Sequence, residues 1–195
     1  MSSANRIVSS EAEELILVDA NDCETGHLSK SACHDGDGVL HRAFSIFLFN
    51  DAGDLLLQQR ATSKRLWPGY WSNSCCSHPR RGESMEVATR RRLGDELNGK
   101  AVLEYAYKFR YQANFGDLGS EHELCHVFLG RLTSKVKAND EEIAAIRFIG
   151  AEDLDAELAQ NPERYTPWFK LEWDALKTNY RDVLSEYAPK RVYPT

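Results

Sequence analysis

Residues 43–49 read AFSIFLF and residues 55–59 read LLLQQ, and the turn sequence Asn50-Asp51-Ala52-Gly53 lies between them. Apolar runs rich in β-forming residues and bounded by Asn, Asp and Gly predict two strands joined as a hairpin. This hairpin is the first element of the predicted sheet.

Further strands and helices are predicted on both sides of the hairpin. Strands are expected over residues 14–19, 103–111, 123–132 and 145–149, and helices over residues 84–97, over residues 153–160 and from residue 166 through residue 180. Ser84 suits an N-cap, and Gly94 within that helix costs about 1 kcal/mol relative to Ala or marks a close contact. Thr166-Pro167 is typical of a helix start. This mixture indicates an α/β (α+β) sandwich, formed by residues 1–195 as a single domain with short extensions.

The composition limits the class of protein. The 195 residues are 42% hydrophobic with a formal net charge of -6, which disfavours disorder and nucleic-acid binding. No apolar stretch approaches the roughly 20 residues of a membrane helix, and residues 1–10 lack the apolar core of a signal peptide. The five cysteines form no C-x-x-C pair. We therefore expect neither a disulfide framework nor a structural zinc site, and a reducing cytoplasm is the expected compartment.

Basic residues concentrate in one third of this acidic chain. They are Arg60, Lys64, Arg65, Arg80, Arg81, Arg90, Arg91 and Arg92. A local cluster of this kind favours a pocket for a small anion over a surface for a polymer. The alternative is a solvated, arginine-rich helix face.

Three histidines and two glutamates form a candidate metal site. Glu121 and Glu123 are two residues apart at the start of a predicted strand, so their side chains face the same side. With the imidazoles of His34, His41 and His78 they would supply nitrogen and oxygen ligands suited to Mn²⁺, Zn²⁺ or Mg²⁺. Because no compact motif of the H-E-x-x-H type is present, a chance grouping of histidines near loops is the alternative from spacing alone.

Residues 67–79, WPGYWSNSCCSHP, place two Trp, two Pro and one Gly around two cysteines and a histidine. A reactive cysteine requires a polar, partly exposed setting, whereas most free cysteines are small core residues. Cys75 fits the core description. Cys76 lies two residues from His78 and points to the same side if the chain is extended, which favours a functional role for its thiol.

Several motifs together resemble those of the type I isopentenyl-diphosphate isomerases, from about residue 34 to residue 168. They are HRAFSIFLFN, RATSKRLWPGYW, SNSCCSHP, SEHELCHVF and TPWF. The resemblance implies a Nudix-like α/β/α sandwich with a mixed β-sheet. It also implies an enzyme that interconverts isopentenyl and dimethylallyl diphosphate for isoprenoid biosynthesis. The expected partner is this small diphosphate, with no nucleic acid and no membrane, and the protein is expected to be a monomer or a homodimer.

The same resemblance implies roles for individual residues. Cys76 and Glu123 match the catalytic pair, and Tyr111 matches a tyrosine that assists the glutamate. The positions that match metal ligands are His34, His41, His78, Glu121 and Glu123, with Glu96 helping to place a Mg²⁺ ion on the diphosphate. The positions that match diphosphate-binding residues are Lys30, Arg60, Lys64 and Arg92. Trp168 matches an aromatic wall of the pocket, and Trp71 is a second candidate to face a carbocation. Glu123 with Tyr111 is expected to protonate the alkene, and Cys76 to remove a proton on the other side.

The Nudix signature itself is degenerate in this chain, since Ser77 stands at its first glycine and Arg92 at one of its glutamates. Hydrolases of that superfamily use the helix carboxylates to bind metals that activate water. Arg92 removes a ligand and adds a phosphate-binding cation, which disfavours hydrolysis although Asp95 and Glu96 remain. A Nudix hydrolase is the nearest alternative function, followed by a non-enzymatic metal- or phosphate-binding module, and a nucleic-acid binder is the weakest.

Overall fold

The computed structural model describes residues 8–189, in which nine strands form one sheet. The strands are β1 (Glu14–Val18), β2 (Glu24–Ser29), β3 (His41–Phe49), β4 (Leu55–Arg60), β5 (Trp71–Ser72), β6 (Cys75–Ser77), β7 (Ala101–Asn114), β8 (Ser120–Leu132) and β9 (Ile143–Ile149). The helices are α1 (Lys30–His34), α2 (Met85–Leu97), α3 (Ala151–Gln160), α4 (Pro167–Thr178) and α5 (Arg181–Tyr187).

The strand β3 is the centre of the sheet, and nearly all its side chains are buried. On one side it pairs with β8 in parallel along its whole length, from His41 opposite Glu123 to Phe49 opposite Arg131. On its other side it pairs antiparallel with β1, β6 and β4 in turn. The sheet continues through β7 beyond β8, through β2 beyond β1, and through β5 and β9 beyond β4.

Alternate residues of β3 face two different layers of helices. Phe47 and Phe49 belong to an apolar cluster with Trp173 of α4 and with residues of α3 and α5. Phe44 points to the other face and belongs to a cluster with Leu93 of α2. A mixed sheet with helices on both faces is an α/β/α sandwich, so the predicted fold class is confirmed.

The predicted hairpin and the predicted start of α2 are both found. β3 and β4 are antiparallel, with Phe49 opposite Leu55. The backbone N–H of Val87 donates to the Ser84 hydroxyl at 3.3 Å, which makes Ser84 the N-cap. None of the helices between residues 8 and 189 combines the length and apolar character of a membrane span.

Two expectations need correction, one about Gly94 and one about the end of α4. A Cβ added to Gly94 would have no atom within 4 Å, so no close contact accounts for this glycine. α4 ends before Tyr180, whose ring instead stacks on that of Tyr107 with centroids 4.2 Å apart. The predicted start of α4 is found, since Thr166 is its N-cap residue and Pro167 its first residue, although the Thr166 hydroxyl bonds to that of Ser72 at 2.9 Å and makes no capping hydrogen bond.

Candidate active site

The catalytic candidates project from one face of the sheet. Tyr111 lies opposite Glu123, and Glu123 lies opposite His41. Further along β3, Ser45 lies opposite Cys76. Residues opposite each other on neighbouring strands share a face, as do residues separated by two or four positions on one strand. The register therefore brings Cys76, Tyr111 and Glu123 to a common face of the sheet, on the same side as α4.

The three histidines and two glutamates converge on this face. The group consists of His34, His41, His78, Glu121 and Glu123, and one ligand atom from each lies within 4.8 Å of all the others. These residues come from the end of α1, the start of β3, the segment after β6 and the start of β8. Spacing along the sequence could not show that these four segments meet, whereas the fold brings them together.

Backbone carbonyls orient two of these imidazoles. The Nδ1 atom of His34 lies 2.6 Å from the carbonyl oxygen of Lys30, and that of His41 lies 2.7 Å from the carbonyl oxygen of Val39. Because a carbonyl can only accept, each Nδ1 carries the proton, and Nε2 is free to bind a cation when the ring is neutral. The Nε2 atom of His41 is buried and has no hydrogen-bond partner among the described residues. These residues therefore fit a divalent metal ion.

Burial and mutual charge set the protonation of this group. Burial alone would lower the pKa of His34, but the Glu121 carboxylate, 2.7 Å from Nε2, raises it to about 9. Burial and the neighbouring His78 lower the pKa of His41 to about 3. Burial and the charge of Glu121 raise the pKa of Glu123 to about 8. Protons thus compensate charge that a divalent cation would otherwise balance.

Glu123 is held by two side chains. The Tyr111 hydroxyl donates to its Oε2 atom at 2.6 Å, and Nε2 of His78 lies 2.8 Å from its Oε1 atom. Cys76 is only partly buried and lines the same cavity, whereas the Cys75 side chain is fully buried, as expected for a core residue. Burial raises the pKa of the Cys76 thiol to about 12 even though Arg60 opposes this shift. The resting form of Cys76 is therefore the neutral thiol.

A cavity of about 380 Å³ connects these groups with a set of cations. Its lining includes Cys76, Tyr111, Glu121, Glu123, His34, His78, Trp168, Lys30, Arg60, Lys64, Arg65 and Arg92. All four residues predicted to bind the diphosphate are in this lining. The cavity therefore combines a proton-transfer pair, a metal-binding group and a cationic wall.

The cationic residues are paired with other groups of the protein. Lys30 donates to the Ser9 hydroxyl at 2.8 Å and to the Glu11 carboxylate at 3.0 Å. Arg60 donates to the carbonyl oxygens of Leu66 and Trp67. The exchange of such contacts for a phosphate is expected when an anion enters, because guanidinium and ammonium groups bind phosphate strongly.

Glu96 is part of a buried ion network rather than of the five-residue metal-binding group. Arg92 donates from Nε to its carboxylate at 2.9 Å, and both side chains are only 3% exposed. Arg92 also contacts Glu142, which accepts a hydrogen bond from Lys64. Glu96 is absent from the cavity lining, so its predicted role on a diphosphate-bound Mg²⁺ stays a prediction.

The two tryptophans predicted as aromatic walls have different surroundings. Trp168 lines the cavity, with the guanidinium carbon of Arg60 lying 5.3 Å from its ring centroid. Trp71 is not part of the cavity lining. Its ring packs in the core with the guanidinium of Arg147 at 4.5 Å. The predicted role of Trp71 in facing a carbocation therefore stays a prediction.

Sequence reasoning missed Glu142, which contacts both Lys64 and Arg92 at the cavity. It lies in the run NDEEI, where nothing distinguishes it from the neighbouring acidic residues. Its contacts depend on the connection between β8 and β9 meeting α2, which has no signature in the sequence. Arg65 was recognised only as part of the basic cluster, although it also lines the cavity.

Comparisons with known proteins identify the family of the chain. The model of the NUDIX domain family matches residues 39–169. Isopentenyl-diphosphate Delta-isomerase 1 of Photorhabdus laumondii is 44% identical over 175 residues, which cover 88% of this chain and 99% of that protein. Isopentenyl-diphosphate Delta-isomerase of Serratia proteamaculans is 47% identical over 158 residues, covering 80% of this chain and 87% of the relative.

Solved structures support the fold. A crystal structure of a Deinococcus radiodurans protein superposes with a TM-score of 0.62 at 25% identity, covering 76% of this chain and 90% of that one. A MutT NUDIX hydrolase from Burkholderia pseudomallei gives a TM-score of 0.56 at 16% identity, covering 69% of this chain and 96% of the other. At 16% identity the second likeness concerns the fold alone.

Proposed function

Because the chain belongs to the NUDIX family and, within it, to the isopentenyl-diphosphate Delta-isomerases, we propose that it interconverts isopentenyl diphosphate and dimethylallyl diphosphate. The protein is an isomerase, and its product supplies isoprenoid biosynthesis. The reaction adds a proton to the terminal CH₂ carbon of the alkene and removes a proton from the carbon on the other side of the resulting cation. No atom is gained or lost overall, so the enzyme needs one proton donor and one proton acceptor.

The observation that carries this proposal is the convergence of two proton-transfer groups on one cationic cavity. Cys76 and Glu123 come from strands on opposite sides of β3 and line the same space. An unactivated alkene is a weak base, so a well-placed acid and a cavity with little water are both required. Such a pair has no use in a protein that only binds phosphate.

The catalytic roles follow from the contacts of the two groups. We assign protonation of the alkene to Glu123, assisted by the Tyr111 hydroxyl 2.6 Å away, and removal of the proton to Cys76. Because the pKa of the Cys76 thiol is raised, the thiol first releases its proton to solvent and the thiolate then accepts the proton of the substrate. Glu123 regains a proton from solvent after turnover. In the back reaction the two roles are exchanged.

Metal ions have two proposed places. The first would hold Mn²⁺, Zn²⁺ or Mg²⁺ and is formed by His34, His41, His78, Glu121 and Glu123. Glu96 would help to hold a Mg²⁺ that arrives with the diphosphate, since this ion prefers phosphates together with one or two carboxylates. When bound, the ion at the histidine site would supply positive charge that makes a proton on Glu123 more acidic.

Binding and specificity are assigned to the remaining lining residues. The diphosphate would be held through charge-assisted hydrogen bonds by four cationic residues, which are Lys30, Arg60, Lys64 and Arg92. The face of Trp168 would stabilise the carbocation-like intermediate by about 0.5–2 kcal/mol. We place the enzyme in the cytoplasm, acting on a small molecule without nucleic acid or membrane.

The test is an NMR experiment in heavy water with purified protein, isopentenyl diphosphate, Mg²⁺ and Mn²⁺. We expect dimethylallyl diphosphate to appear with deuterium in its new methyl group and without free phosphate. Release of phosphate without rearrangement would instead support a NUDIX hydrolase. Arg92 argues against that outcome, because it stands at a position where hydrolases of the superfamily have a metal-binding glutamate.

A further inference from the structure

Arg65 stands in a loop that carries part of the cationic wall. Residues 61–69 leave and rejoin the sheet around Arg60, whose backbone N–H donates to the carbonyl oxygen of Tyr70 at 2.9 Å and whose carbonyl accepts from Gly69 at 3.0 Å. This loop supplies Lys64, Arg65 and Leu66 to the cavity lining. The closing contacts fix the base of the loop, while its outer part needs other contacts to stay in place.

Arg65 provides these contacts with its guanidinium group. Its Nε and Nη2 atoms donate to the carbonyl oxygen of Leu118 at 3.2 and 2.8 Å. Nη2 also donates to the Asp35 carboxylate at 2.6 Å, and Nη1 to the carbonyl oxygen of Ser31 at 3.4 Å. The side chain is 37% exposed. An exposed arginine with four protein hydrogen bonds has given up the rotamer freedom that such side chains usually keep.

Arg65 contacts two of the four segments that carry metal-binding candidates. Ser31 and Asp35 flank His34 at the end of α1, and Leu118 lies three residues before Glu121. These segments already touch, since a Cβ at position 119 would lie 2.2 Å from the carbonyl oxygen of His34. Arg65 therefore joins the loop of Lys64 to the two segments that carry His34 and Glu121.

We propose that Arg65 is a positioning residue that couples the diphosphate-binding loop to the metal centre. The inference rests on the proposed function, which assigns the diphosphate to Lys64 and the metal to His34 and Glu121. The planar guanidinium group of Arg65 bonds to two other chain segments at once and so fixes their distance from its own loop. The ammonium group of a lysine, which is a point charge, cannot do this. A fixed ligand pair binds metal more tightly than a mobile one, and a fixed loop presents Lys64 to the phosphate without an ordering cost.

The test compares Arg65→Ala and Arg65→Lys with Arg90→Ala as the matched control. Arg90 is an exposed arginine of α2 that has no assigned role and whose guanidinium contacts Glu86 one turn away. The first measurement is the affinity of the substrate-free protein for Mn²⁺, which is determined from the electron paramagnetic resonance signal of the free ion. The second is KM and kcat for isopentenyl diphosphate at saturating Mn²⁺ and Mg²⁺.

We expect both Arg65 variants to bind Mn²⁺ about tenfold more weakly, the lower end of the range for residues that orient metal ligands. KM should rise by a similar factor while kcat changes by less than about twofold, because Cys76, Glu123 and Tyr111 stay in the sheet. Arg90→Ala should match the wild type in all three quantities. Failure of Arg65→Lys to restore them would show that the fork geometry, rather than the charge, is required.

Wild-type Mn²⁺ affinity in Arg65→Ala, or full recovery in Arg65→Lys, would overturn the proposal. Should Arg65→Ala fail to fold, Asp35→Ala can replace it. This variant removes only the exposed carboxylate that accepts one hydrogen bond from Arg65, and we expect it to weaken Mn²⁺ binding as well. The metal titration uses no substrate. It therefore reports on Arg65 even if the wild-type protein proves not to isomerise isopentenyl diphosphate, which would refute the proposed function separately.

Discussion

At the scale of single residues, adjacent cysteines have different environments. Cys76 pairs with Ser45 across the strands and faces the cavity, while Cys75 points into the opposite cluster with Phe44 and Leu93. Cys76→Ala should lower kcat by about 10²–10⁴-fold, the usual contribution of a proton-transfer group, with metal content and thermal unfolding near those of the wild type. Cys75→Ala is the matched control and should lose stability through a small cavity while keeping kcat. Substantial steady-state turnover in Cys76→Ala would remove the thiol from the mechanism.

A second residue-scale prediction concerns His41, whose Nε2 atom is buried without a hydrogen-bond partner among the described residues. His41→Ala should abolish tight metal binding, because it removes a proposed ligand whose ring is oriented by the carbonyl oxygen of Val39. Elemental analysis of protein dialysed against metal-free buffer measures the content directly. His126→Ala is the control, since this histidine pairs with Asp22 outside the metal-binding group. An unchanged metal content in His41→Ala would exclude it as a ligand.

At the scale of elements, α2 contains an unexplained glycine. Gly94 has an ordinary helical conformation and open space where a Cβ would stand, so Gly94→Ala should stabilise the protein by about 0.5–1 kcal/mol. Urea unfolding at neutral pH measures the change. Gly119→Ala provides the opposite case, because φ is 140° there and the Cβ would meet the carbonyl oxygen of His34. Destabilisation by Gly94→Ala would mean that this face of α2 needs the glycine for packing.

Some of these elements could be predicted from the sequence and others could not. β3 and α2 are long and patterned, and their turn and N-cap residues act locally, so the hairpin and Ser84 were predictable. β5 and β6 contain two and three residues and exist only because they pair with β4 and β3. β2 is polar and has no apolar alternation, and it forms because β1 offers a partner. Elements held by long-range pairing leave no local periodicity to detect.

At the scale of the whole molecule, the candidate site divides in a similar way. Residues within motifs, such as Cys76 and Glu123, could be named from the sequence because the resemblance covers them. Contacts between distant segments could not, and this is why Glu142 and the hydrogen bonds of Arg65 emerged only from the structure. Trp71 also lies in a distinctive motif, but only the structure shows that the guanidinium of Arg147 packs against its ring.

A last prediction concerns an ion network that joins β9, α3 and the segment before α4. Arg147 donates to both carboxylate oxygens of Glu157 at 2.9 and 2.6 Å, and the Tyr165 hydroxyl donates to the same carboxylate at 2.6 Å. The hydrogen bonds from Arg147 lower the pKa of Glu157 from 4.5 to about 2. A depressed pKa in the folded state means that the carboxylate stabilises the fold above about pH 4.5, and this contribution is lost as the pH falls towards 2.

Glu157→Gln should therefore lower the free energy of unfolding by about 1 kcal/mol at pH 7. This value is smaller than the pKa shift of Glu157 would give, because the carboxylate is partly exposed to solvent. The difference in unfolding free energy between wild type and variant should shrink between pH 6 and pH 3, as urea titrations at each pH would measure. Glu163→Gln, at an exposed position nearby, is the control and should show a smaller difference at every pH. A difference for Glu157→Gln that stays constant down to pH 3 would mean that protonation of the Glu157 carboxylate does not change the stability of the fold. The network would then hold these elements together by hydrogen-bond geometry rather than by charge.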